Sequence, residues 1–198
     1  MKLALVSVDT KENLPPLGLG YLASYLRKYG NFENSFIVDK EDQFERIKKE
    51  KPDLIGISAT TVDFDKAKKL AEQVKQELGT PIMLGGFHLT AVPHRMPEQF
   101  DVGILGEGEN VLLELVDLFE KKKDFPAKDL AKIKSLVYRQ NNKLKIAERR
   151  PNIQPLNKIP FPDRSLLKTV RAGFIDAVFE PVDHGQSSGI WVPSHLPQ

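Results

Sequence analysis

Apolar positions along the chain follow two alternating patterns. Short unbroken apolar runs occur at Leu3-Ala4-Leu5-Val6, Phe36-Ile37-Val38, Leu54-Ile55-Gly56-Ile57, Ile82-Met83-Leu84 and Val102-Gly103-Ile104-Leu105. Runs that do not alternate polar with apolar predict strands covered on both faces. The stretches between them are long enough for helices. Leu19, Leu22, Ala23 and Leu26 keep helical spacing, as do Ala67, Leu70, Ala71, Val74 and Leu78, and then Val111, Leu112, Leu115, Leu118 and Phe119. Gly30 and Gly79 stand where left-handed helix C-caps belong. Residues 1–122 therefore read as five βα units on a parallel sheet.

The pattern changes after that. Asn141-Asn142 separates Leu136-Val137-Tyr138 from Leu144-Lys145-Ile146, which predicts a hairpin within a basic extension, 123–148. From Glu120 to Arg150 there are 11 Lys+Arg against 4 Asp+Glu. Phe125 and Tyr138 are the only aromatic residues there and do not interleave with the charges as base stacking would require, so the stretch reads as a solvated or docking face. Pro151, Pro155, Pro160 and Pro162 make 149–171 an extended linker. The tail, 172–198, contains no Lys or Arg and carries the only Trp, Trp191. It is expected to be mobile or ordered only by packing.

Composition narrows the function classes. The whole chain has 29 Lys+Arg and 27 Asp+Glu, a net charge of +2, which argues against a strongly basic nucleic-acid binder. Cysteine is absent, so these residues supply no disulfide, no thiolate nucleophile and no Cys-ligated iron–sulfur cluster. No apolar run approaches the ~20 residues of a membrane span. A cytoplasmic protein with no membrane partner is expected.

Gly18-Leu19-Gly20-Tyr21-Leu22-Ala23 satisfies the G-x-G-x-x-A pattern of a dinucleotide site, and Asp39 lies about where a ribose-binding acid would stand. That site needs its first glycine in the turn directly after the strand. Here nine residues, with Pro15-Pro16 among them, separate Val8 from Gly18. Pro16 reads better as a helix start, with both glycines letting the helix pack closely on the sheet. The aspartate and lysine of a phosphorelay receiver are also missing at the third and fifth strand ends. What remains is a rim at the carboxyl ends of the strands, where open α/β sheets bind ligands. It comprises Ser58-Ala59-Thr60-Thr61, Gly85-Gly86-Phe87-His88-Leu89-Thr90 and Gly106-Glu107-Gly108-Glu109. Glu107 and Glu109 complement a helix dipole and repel phosphate, so the rim suits a ligand bearing amides and hydroxyls. His88 and His94 are six apart with Pro93 between them, which is not the spacing of a two-histidine metal motif. His88 reads as a turn histidine bonded to backbone, and no metal ligands or catalytic residues are assigned.

Taken in order on this frame, Pro15-Pro16-Leu17-Gly18-Leu19-Gly20-Tyr21-Leu22-Ala23, Gly85-Gly86-x-His88-x-Thr90 and Gly106-Glu107-Gly108-Glu109 resemble the amino-terminal cobalamin-binding domain of the B12-dependent radical SAM proteins. The linker Ile159-Pro160-Phe161-Pro162-Asp163-Arg164 resembles that family's bridge into its catalytic barrel. The resemblance implies cobalamin as cofactor, with its nucleotide tail between sheet and helices. Leu14, Leu17, Ser58, Ala59, Thr60, Gly85, Gly86, His88, Gly106, Glu107 and Gly108 are the residues it implies around the cofactor. A side chain at Gly86 is expected to block the ligand while leaving the fold intact.

Two departures qualify the resemblance. Where cobalamin-dependent methyltransferases and mutases carry D-x-H-x-x-G, this chain has Asp9-x-Lys11-x-x-Leu14. The histidine position is a lysine, protonated near neutral pH and a poor ligand, so bound cobalamin is expected to be base-off without a protein histidine ligand. The family's three-cysteine motif should follow Arg164, and there is no cysteine. The expectation is a flavodoxin-like (Rossmann-like) α/β three-layer sandwich. Its five-stranded parallel sheet has the order 2-1-3-4-5, followed by a C-terminal hairpin and an extended tail. Functionally it would be the cobalamin-binding module of a truncated radical SAM protein, not catalytic alone, whose full-length relatives include methyltransferases. A radical SAM catalytic domain or a second copy is the expected protein partner. The alternatives are a ligand-free interaction domain of the same fold and a nicotinamide-nucleotide binder at Gly18 and Gly20.

Overall fold

The computed structural model describes residues 1–8, 15–39 and 42–167. Its parallel core comprises β1 (Leu3–Ser7), β2 (Ser35–Val38), β3 (Leu54–Ser58), β4 (Ile82–Gly85) and β5 (Val102–Ile104). These lie in the order β2-β1-β3-β4-β5, as expected, and all neighbours are parallel. The hairpin strands β6 (Leu136–Gln140) and β7 (Lys143–Ile146) join the same sheet, antiparallel, beyond β5. Leu136 and Val137 are fully buried there, so the hairpin shields a β5 edge that would otherwise be open to pairing. Asn141 and Asn142 both have positive φ, 51° and 60°, the backbone that a two-residue hairpin turn demands.

Alternation along each strand sorts the core into two layers. Leu3 and Leu5 face α1 (Leu17–Gly30) and α5 (Glu109–Lys122), together with Met83, Val102 and Ile104. Ala4 and Val6 face the other way, with Ile55, Ile57, Ile82 and Leu84, against α2 (Gln43–Glu50) and α3 (Phe64–Glu77). Helix α1 supplies Leu19, Ala23 and Leu26 to its layer, and α3 supplies Ala67, Leu70, Ala71 and Val74 to its own. These are the residues whose spacing predicts the helices. The Tyr25 hydroxyl donates to Asn110 Oδ1 at 2.6 Å and ties α1 to α5.

Three local expectations change. The connection from β4 to β5 is not a full helix but α4 (Phe87–Ala91) and a single 3-10 turn, Pro93–Arg95. Pro93 and Pro97 cannot continue a helical ladder. Helix α1 is capped by Asn31 at φ 51°, one residue beyond the expected cap. Gly30 is the last helical residue, and its lack of a side chain lets α5 approach, since a Cβ there would come within 2.6 Å of Leu113 Cδ1. Gly20 does not face the sheet: its missing Cβ points to Pro162 Cβ at 3.0 Å, where the linker crosses α1. The linker is held there by the amide of Asp163 donating to Gly20 O, and by the Arg27–Asp163 ion pair. Gly79, at φ 65°, closes α3 as its position suggests. Among the described residues no helix is long and apolar enough to cross a membrane.

Candidate functional site

The carboxyl ends of β1, β3, β4 and β5 open onto a cavity of about 610 Å³ on the α1/α5 side of the sheet. Its depth is apolar, with Leu5, Met83 and Ile104 from the strands and Leu19, Leu22 and Leu112 from the two helices. Its rim is polar, with Ser7, Ser58, Thr60, Thr90, Glu107, Glu109 and Asn152. An apolar slot with a few polar groups at its mouth is the usual form of a small-molecule site.

Hydrogen bonds across the loops fix the rim. The Ala59 amide donates to Gly85 O at 3.2 Å, and the His88 amide donates to Ala59 O at 3.3 Å. Gly86 sits between them at φ 99°, where a Cβ would lie 2.5 Å from Ala59 O and 2.9 Å from Ala59 N. This glycine is a requirement of the backbone, so the expectation that a side chain there spares the fold is corrected. Gly85 differs, because a Cβ on it would meet nothing within 4 Å. The His88 ring stacks on Phe64 at 3.8 Å between centroids, and its Nδ1 lies 3.3 Å from Thr61 Oγ1. Burial, with Arg95 adding to it, holds the His88 pKa below its ordinary value.

After β5 the chain turns at Gly106, φ 76°, whose amide donates to Thr90 Oγ1 at 3.0 Å. Glu107 Oε2 accepts from the Ile153 amide at 2.6 Å, and Arg149 Nη2 donates to Thr90 O at 2.8 Å. Arg150 pairs with Glu114 at 2.9 Å. These contacts strap residues 149–153 over the β5–α5 loop and bring Asn152 into the cavity wall. Glu109, the first residue of α5, also lines the cavity, and its Oε2 is buried without a hydrogen-bond partner. Burial is the main reason that its pKa rises, and Glu107 adds to it.

Of the residues singled out in the sequence, Ser58, Ala59, Thr60, Gly85, Gly86, Gly106, Glu107 and Gly108 line this one cavity. Leu17 packs against the apolar layer shared by α1 and α5, outside the lining, and the His88 ring is engaged by Phe64 and Thr61. Leu14 and Lys11 lie outside the described residues, as does the tail 172–198. Sequence reasoning placed Glu109 on the rim without counting it among the cofactor contacts, and it missed Gly18 and Asn152 as lining residues. Gly18 carried a signal, a glycine in a helix, but for another reading. Asn152 carried none. No group of three or more His, Cys, Asp or Glu residues is arranged for a metal among the described residues.

The architecture is that of an open α/β sheet built to take a ligand at the carboxyl ends of its strands. Residues 4–116 match the family model of the B12 binding domain, and the chain belongs to that family. It is 32% identical over 188 residues to an uncharacterized methyltransferase of Pyrococcus horikoshii, spanning 84% of this chain and 39% of that protein. It is 38% identical over 117 residues to an anaerobic magnesium-protoporphyrin IX monomethyl ester cyclase of Rubrivivax gelatinosus, 52% of this chain and 20% of that one. Among solved structures, the cobalamin-dependent S-adenosylmethionine radical enzyme OxsB with aqua-cobalamin bound superimposes with a TM-score of 0.68 at 21% identity. That match covers 83% of this chain and 24% of the other, and at this identity it speaks for the fold. The chain spans well under half the length of these curated relatives, 39% of one and 20% of the other.

Proposed function

We propose that this chain binds cobalamin in the cavity between the sheet and helices α1 and α5, as the cofactor module of a radical SAM protein. The observation that carries the reading is the cavity itself, apolar in depth, hydroxylated at the rim, and bordered by glycines at the ends of β4 and β5. These residues fit the group. The benzimidazole base that ends the nucleotide tail is flat and apolar and suits the slot lined by Leu5, Met83, Leu19 and Leu112. Ser58, Thr60 and Asn152 offer hydrogen bonds to its hydroxyls and to the corrin amides. Cobalamin supplies a cobalt ion in a corrin ring, with axial positions that exchange ligands. The contribution of this chain is to bind and orient that group. Two carboxylates at the α5 end disfavour a polyphosphate there, because they repel it.

With no cysteine in its 198 residues, the chain holds no Cys-ligated iron–sulfur cluster of its own. In this reading these residues supply the cofactor site, and the radical chemistry belongs to a catalytic domain that carries the cluster. An absorbance titration with hydroxocobalamin, run beside NADH and buffer, tests the reading. Saturable corrin binding is expected. Silence toward hydroxocobalamin would leave the fold without this ligand and favour an interaction domain.

A further inference from the structure

Gly18 is the second residue of α1, a position where the protein gains nothing from glycine. A Cβ built on it meets no heavy atom within 4 Å, and its φ is not in the left-handed region. Glycine is the poorest helix former after proline, so the fold alone favours another residue there. Most other glycines on the cavity have a reason inside the protein. Gly56 has Leu5 Cδ2 3.3 Å from its missing Cβ, and Gly108 has Leu22 Cδ2 at 3.2 Å. Gly86 and Gly106 have positive φ. Gly85 alone shares the character of Gly18, with open space where a side chain would be. Both line the cavity, one from α1 and one from the end of β4.

Size gives the open space a meaning. A cavity of about 610 Å³ falls in the ~300–1,000 Å³ range of sites for a single drug-sized ligand. Cobalamin is larger than that, so only part of it enters, and clearance between the walls decides whether it does. We infer that Gly18 is a ligand contact: the buried part of the cofactor lies against the bare backbone of α1 at Gly18, with Gly85 giving the same clearance on the β4 wall. The inference rests on the cobalamin reading and adds to it a residue whose helix-breaking identity serves the ligand and not the fold.

The test separates stability from binding. Gly18→Ala and Gly18→Leu are compared with the parent chain by thermal unfolding and by absorbance titration with hydroxocobalamin and with cobinamide, which has the corrin amides but no nucleotide. Gly18→Ala should melt at the same temperature or up to about 3 °C higher. Gly18→Leu should stay folded and bind hydroxocobalamin at least tenfold more weakly. If cobinamide binding is spared in Gly18→Leu, the nucleotide lies against Gly18, and if it weakens equally, the corrin periphery does. Unchanged affinity for both corrinoids would overturn the inference. So would a clear drop in the melting temperature of Gly18→Ala, which would make the glycine a need of the fold. Failure of the parent chain to bind either corrinoid would overturn the cobalamin reading, and this inference with it.

Discussion

Gly86 and Ala59 occupy each other's only room: the missing Cβ of Gly86 would lie 2.5 Å from the Ala59 carbonyl oxygen, which accepts from the His88 amide. The contact is between backbones, so no rotamer relieves it. Gly86→Ala combines this clash with a φ of 99° and should cost about 3 kcal/mol or more. Denaturant unfolding checks it, and a cost below about 1 kcal/mol would show that the two loops can separate. Gly85→Ala, with nothing within 4 Å of its Cβ, should leave stability within about 1 kcal/mol of the parent.

The Glu107–Ile153 bond gives a second expectation. The Ile153 amide is partly buried and donates to Glu107 Oε2. Glu107→Ala leaves that amide without its acceptor, at a cost of about 1–2 kcal/mol, while Glu107→Gln keeps an oxygen in place. Hydrogen exchange at Ile153 should accelerate in the alanine variant and change little in the glutamine one. Equal protection in all three proteins would show that the strap is held by Arg149 and Arg150 without Glu107.

Much of this arrangement was legible in the sequence, because strands buried on both faces read as apolar runs and their ends as small residues. Eight of the eleven residues named from the sequence line the cavity for that reason. The strap was not legible. An extended segment has no period to read, and the bond from Ile153 to Glu107 spans 46 residues. Gly18 and Gly20 look alike in the sequence, two residues apart on one helix. Only the fold shows that Gly20 meets Pro162 whereas Gly18 opens to the cavity. The edge role of the hairpin was also hidden, since nothing in Leu136–Gln140 says which strand it pairs with.

Glu109 should make stability depend on pH. Its folded pKa is raised above the ordinary 4.5, chiefly by burial and then by the neighbouring Glu107. The folded state therefore binds this proton more tightly than the unfolded chain, and the contribution is fully present below about 4.5. It is lost as pH rises through the higher folded value. Urea midpoints of the parent relative to Glu109→Gln should fall on going from pH 4 toward neutrality. A difference that stays flat, or rises, would mean that the buried carboxylate has found compensation from backbone amides at the start of α5.

The final expectation concerns the cobalt ligand. Four histidines exist in the chain, His88, His94, His184 and His195, and the position that the sequence resemblance matches to an axial histidine is Lys11. Of those nearest the rim, the His88 ring is held by Phe64 and Thr61, and turning it toward the cavity mouth would break both contacts. A lysine ammonium has no lone pair to give near neutral pH. If the nucleotide base is buried between the sheet and α1, it is not on the cobalt either. The bound cofactor should then be base-off with no nitrogen beneath the metal. Electron paramagnetic resonance of the protein loaded with cob(II)alamin should lack nitrogen superhyperfine splitting. His88→Ala should leave that spectrum unchanged. Splitting from one nitrogen that disappears in His88→Ala would make His88 the axial ligand. Splitting that persists in the variant but is absent with cobinamide would instead place the cofactor's own base on the cobalt and empty the slot beside Gly18.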